Sequence, residues 1–95
     1  MDDILRRNFL KALKNRRWTS LDAERAATFV AGLYQAEAGE WTVWPSETKG
    51  LTHYRVARHA GALSVYDSPQ EGRAWDVANA LNELEGHDSD ATGTP

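Results

Sequence analysis

Residues 51–86, LTHYRVARHAGALSVYDSPQEGRAWDVANALNELEG, read as one unit: strand, tight turn, strand and capped helix. Two alternating runs, Thr52 to Arg58 and Ala62 to Tyr66, flank the turn former His59-Ala60-Gly61. The second run leads into Ser68-Pro69-Gln70-Glu71, a capping-box start in which Ser68 accepts the Glu71 amide and Pro69 occupies the first helical position. Ala74, Val77, Ala78, Leu81 and Leu84 then recur at helical spacing, and Gly86 is placed to stop the helix. Gly72 inside this helix costs stability relative to Ala. It implies either close approach of a neighbouring backbone or a first turn that tolerates glycine.

Upstream, Asp2 to Asn15 forms a helix with Leu5, Phe9, Ala12 and Leu13 on one side and Arg7, Lys11 and Lys14 on the other. Thr19 and Ser20 can cap a second helix from Leu21 to about Glu37, which Gly39 ends. Trp41-Thr42-Val43-Trp44 alternates as a strand, Pro45 restricts it to a sheet edge, and residues 46–50, SETKG, form a polar connection. The expected class is α+β with order α-α-β-β-β-α, a three-stranded antiparallel meander packed on helices. The order from the second helix onward is that of double-stranded RNA-binding domains. Its β-β-β-α portion is that of the sheet-reading DNA-binding domains of plant transcription factors and integrase arms. Element order alone does not carry function.

Ninety-five residues suffice for one domain, assigned to residues 1–86, with 87–95, HDSDATGTP, as a disordered acidic tail. The absence of Cys excludes disulfides, thiolate metal sites and a cysteine nucleophile. Met1 to Arg7 lacks the pattern of a signal peptide and no run is long enough to span a membrane, so a cytoplasmic protein without membrane contact is expected. The net charge of −3 is unevenly placed. Residues 1–17 carry six Lys/Arg against two Asp, whereas residues 67–95 carry seven Asp/Glu against one Arg. Opposite ends of this kind allow the basic end to meet an anionic partner, or allow a symmetric homodimer through helices or the sheet face.

Catalytic patterns are absent: Ser20 and Ser68 are explained as caps, no nucleophile elbow occurs, and the glycines are too dispersed to cradle phosphate. His53 and His59 do not have zinc spacing, and the His87-Asp88-Ser89-Asp90 tail lacks the ligand series of a calcium loop. A non-enzymatic protein with no cofactor and no metal is expected. Alternation directs Trp41, Val43, Tyr54, Val56, Leu63 and Val65 toward the helices and Thr42, Trp44, His53, Arg55, Ser64 and Tyr66 to the other sheet face. Trp44, His53, Arg55 and Tyr66 form the candidate partner-binding set, because Trp, Tyr and Arg dominate interface hot spots. Alternatively the first helix folds over this face and buries Trp44 and Tyr66. Trp18 and Trp75 are expected in the core. A nucleic-acid reading would use the open sheet face or Arg7, Lys11, Lys14, Arg16 and Arg17.

The run 54–85 resembles small accessory proteins encoded by phages of actinobacteria. It shares the Tyr54-Arg55-Val56 strand, the His59-Ala60-Gly61 turn, the Val65-Tyr66-Asp67 strand end and an Ala-rich helix ending in Ala80-Leu81-Asn82. These motifs are structural. The resemblance implies a small early protein that modulates a host protein, or another host macromolecule, by direct binding.

Overall fold

Six elements follow in the expected order: α1 (Asp3–Asn15), α2 (Ser20–Leu33), β1 (Thr42–Thr48), β2 (Leu51–Ala57), β3 (Tyr66–Ser68) and α3 (Glu71–Leu84). The computed structural model describes residues 1–87; the acidic tail expected over 87–95 lies, beyond His87, outside the described residues.

Asp2 caps α1 by accepting the Leu5 amide at 2.8 Å, and Thr19 caps α2 by accepting the Asp22 amide at 3.1 Å. Both α1 and α3 end in paired capping bonds around a left-handed residue. After α3, Gly86 (φ 83) lets the Gly86 amide reach Glu83 O and the His87 amide reach Asn82 O. After α1, the equivalent residue is Arg17 (φ 71), with the Arg17 and Trp18 amides donating to Lys14 O and Leu13 O.

The start of α3 differs from the expected capping box. Ser68 is the last residue of β3, and its hydroxyl accepts the Gln70 amide at 3.0 Å; Gln70 is the N-cap and makes no side-chain cap bond. Gly72 has nothing within 4 Å of a Cβ built on it, which favours first-turn tolerance over close approach.

The sheet is antiparallel in the order β1-β2-β3, so β2 is central. β1 runs through Pro45 and takes in most of the expected polar connection, which is possible because β1 is an edge strand. The β1–β2 hairpin closes at Lys49 (φ 53) and Gly50 (φ 80), two positive-φ residues as a type I′ turn requires. The expected turn at residues 59–61 also forms, with the Ala62 amide donating to His59 O and Gly61 at φ 87. The chain nevertheless stays irregular until Tyr66, so β3 is three residues long instead of the expected Ala62–Tyr66 run.

α3 crosses the inner sheet face and contacts all three strands, α2 reaches only β3, and α1 packs on α2 and α3 without touching a strand. The core consists of Phe9, Leu13, Ala23, Ala27, Val30, Val56, Val77, Ala78 and Leu81, all fully buried. Trp18 and Trp41 join it, but Trp75 is 38% exposed and Leu63 is 63% exposed, against expectation. Trp75 lies off the Ala74-Val77-Ala78-Leu81 stripe that meets the core. Leu63 belongs to the irregular loop, where no pleat points it inward.

Gly50→Ala should lower stability by about 1 kcal/mol because a Cβ disfavours its left-handed conformation. Gly72→Ala, in open space, should raise it by about 0.5 kcal/mol. Urea midpoints of the two variants check both signs.

Candidate functional site

Cross-strand register determines which side chains share the outer sheet face. Trp44 pairs with Arg55, which pairs with Asp67, and Ser46 pairs with His53. Residues directly opposite one another point the same way, so these side chains share one face. Among the described residues no helix covers it, because α1 packs elsewhere. The loop after β2 roofs its Ala57 end: Arg55 Nη2 donates to Ala62 O at 3.0 Å, and Ala57 is fully buried. Trp44 Nε1 donates to Ala57 O at 3.3 Å. His53 lies between Thr48 Oγ1 at 3.2 Å from Nε2 and Asp67 Oδ1 at 2.7 Å from Nδ1.

Tyr66 is not on this face. It pairs with Val56, which faces the helices, and its ring lies 6.4 Å from Trp18 and 6.2 Å from Phe29. The cause is a break in alternation. The Val65 amide donates to Val56 O while Tyr66 also opposes Val56, so two residues face one and the parity carried from Ala62 is lost. Burial raises the Tyr66 pKa, as expected on the packed side. Asp67 and Thr48 belong to the outer face and were missed from sequence. The register of β3 would have placed Asp67, but alternation counted across a loop could not.

The Thr48-His53-Asp67 chain has the order of contacts of a hydroxyl–imidazole–carboxylate triad. In such triads the carboxylate is buried, where its charge can hold an imidazolium that solvent would otherwise stabilise equally well. Here Asp67 is 39% exposed and His53 27% exposed on an open sheet, so the chain pins β1, β2 and β3 together and gives little preorganised electrostatics.

A second cluster is buried at the other end of the sheet. Arg58 leaves β2 inward, and its guanidinium donates to both Glu85 oxygens at 2.8 Å, to Gly39 O at 2.7 Å and to Gln35 O at 3.0 Å. It lies 4.0 Å over the Trp41 ring, which stacks on Tyr34. Glu85 also accepts from Trp41 Nε1 at 3.0 Å and Tyr34 OH at 2.6 Å, and His87 lies 3.3 Å away. Burial would raise the Glu85 pKa, but the bonds from Arg58 and Tyr34 outweigh it and hold the group below the ordinary value. Burial, then the bond to Glu85, pushes Tyr34 up to about 12. A cavity of about 50 Å³ beside this cluster, lined by Leu33, Trp41, Arg58 and Val65 among others, is close to the size of a water molecule or two.

On α1, Arg7, Lys11 and Lys14 are exposed, as is Arg17 just beyond it. Arg16 stands apart: it pairs with Glu83 and donates to Ala12 O at 3.0 Å. Among the described residues no cluster of three His, Cys, Asp or Glu can hold a metal, and no helix is long and apolar enough to cross a membrane. No family model matches the chain, and neither a curated protein nor a solved structure matches it.

The lowered pKa makes Glu85 an acid-sensitive support. Its stabilisation is present above its unfolded value of about 4.5 and is lost as pH falls through the lower folded pKa. Glu85→Gln should therefore reduce the urea midpoint at neutral pH and show a smaller further loss toward pH 3 than wild type does. Tyr34 contributes in the opposite direction, with stability present below about 10 and lost as pH rises toward about 12. Tyr34→Phe should remove the last-titrating tyrosinate absorbance.

Proposed function

We propose that the protein is a non-enzymatic binding protein whose outer sheet face engages a protein partner. The observation that carries this reading is preorganisation. Trp44 and Arg55, half-buried on a face without a helical cover, are each held by a backbone carbonyl, and His53 is held between Thr48 and Asp67. Side chains already restricted in the free protein lose less entropy on binding. Indole and guanidinium groups in that state have the character of hot-spot residues. Leu51, 73% exposed, extends the same face toward the hairpin turn and adds apolar area. Tyr66 drops out of the set, since its ring packs with Trp18 and Phe29. The resemblance of residues 54–85 to accessory proteins of actinobacterial phages supports a host protein as the partner, met in the host cytoplasm.

Affinity capture from an actinobacterial lysate tests this. Wild type should retain one protein at stoichiometric level. Trp44→Ala and Arg55→Ala, each shown to melt cooperatively, should weaken its binding by about 30-fold, the loss of about 2 kcal/mol typical of a hot spot. Recovery of no partner, or equal recovery by both variants, would overturn the proposal.

A further inference from the structure

The solvent side of α1 is unlike the rest of this acidic molecule. Ile4, Arg7, Asn8, Lys11, Lys14 and Asn15 are all exposed, and their three- and four-residue spacing puts them on one stripe along the helix. The carboxylates of this segment, Asp2 and Asp3, lie at its N-terminal end. Among the described residues, Arg7, Lys11, Lys14 and Arg17 enter no ion pair, whereas Arg16, Arg58 and Arg73 do. Arg17 adds a further exposed cation just beyond the helix, from a left-handed position (φ 71) at which a residue with Cβ costs about 1 kcal/mol relative to glycine.

From these observations we infer that the stripe binds duplex DNA, with α1 lying in the major groove. Charge complementarity calls for a polyanion. The helix is about 10–12 Å across with its side chains, which fits a B-form major groove about 12 Å wide and not the narrow one of A-form RNA. Its opposite side is bolted to α2 and α3 through buried Phe9, Ala12 and Leu13, so the stripe is presented on a rigid mount. Arg7, Lys11, Lys14 and Arg17 reach phosphates, and Asn8 and Asn15 present amides of the kind that pair with adenine edges. Ile4, 67% exposed, is an apolar side chain of the kind that contacts thymine methyl groups. An anionic membrane is a poorer fit, because the apolar side of α1 is already buried in the core. This surface is separated from the outer sheet face by the helical layer, so its occupancy is independent of the protein-binding reading.

The test is fluorescence anisotropy of labelled mixed-sequence duplex DNA at low salt, with duplex RNA and anionic phospholipid vesicles as parallel probes. Saturable DNA binding is expected, with a log–log salt slope of about −3 to −4 from neutralising about four phosphates. Lys11→Ala should reduce that slope by about 0.9 and weaken binding roughly fivefold. Arg17→Gly should bind DNA more weakly while melting at a higher temperature, separating contact from folding. Trp44→Ala should leave DNA binding unchanged. Absence of DNA binding at low salt, tighter binding to RNA or vesicles, or a slope insensitive to Lys11→Ala would overturn the inference.

Discussion

A buried guanidinium that must have its donors satisfied organises this fold. Arg58 is inaccessible apart from 4% of its side chain, and leaving such a charge unpaired would cost several kcal/mol. Its bonds therefore dictate where other segments lie. Glu85 must sit at the C-cap of α3, which Gly86 makes possible by turning the chain there. The carbonyls of Gln35 and Gly39 must turn toward the same point, so α2 stops at Leu33 and the chain reaches Trp41 through a non-helical segment that bends at Ala38-Gly39, where Gly39 has φ 113. Asn82 completes the junction, its amide donating to Trp41 O and its carbonyl accepting the Trp41 amide. One ion pair thereby ties the end of β2, the α2–β1 connection and the end of α3 into a single joint.

That joint explains the division of the molecule. With α3 anchored at its C-terminal end by Glu85, its Ala74-Val77-Ala78-Leu81 stripe lies across the inner sheet face and leaves its flank for α1, on which α2 packs in turn. Trp18, donating to Asp76 at 2.8 Å, ties the α1–α2 connection to α3, and Arg73, paired with Asp22, links α3 to the first turn of α2 through side chains. The sheet is thus helix-covered on one side, and α1, held away from it, presents its polar side to solvent. Edge protection is built in as well. Pro45 removes an amide from β1, and β3 is too short to template another strand.

Much of this was legible in the sequence because the signals are local. Helical apolar spacing, Thr19 as a cap, Gly86 as a stop and Pro45 as an edge marker each act within a few residues of themselves, so the presence of α1, α2 and α3 and the order of elements follow from short windows, whereas the end of α2 at Leu33, expected near Glu37, does not. The exposed basic side of α1 follows from the same periodicity. Short-range chemistry also misleads when two solutions compete. Ser68-Pro69-Gln70-Glu71 satisfies a capping box on paper, yet the Ser68 hydroxyl takes the nearer Gln70 amide because Ser68 is committed to β3 by pairing with Tyr54.

What tertiary structure alone decided is longer in range. The pairing of Arg58 with Glu85 spans 27 residues and has no spacing signature, since a charged residue at a strand end reads as solvated until burial is known. The bulge at Val65 and Tyr66 depends on the register against Val56, and it moved Tyr66 from the outer face into the packing between Trp18 and Phe29. Arg16 and Arg17 are adjacent and chemically alike, but Glu83 lies beside only one of them once α3 is docked. Periodicity determines which face of an element a residue occupies; which faces meet is determined by satisfying buried charge and backbone polar groups across the whole chain.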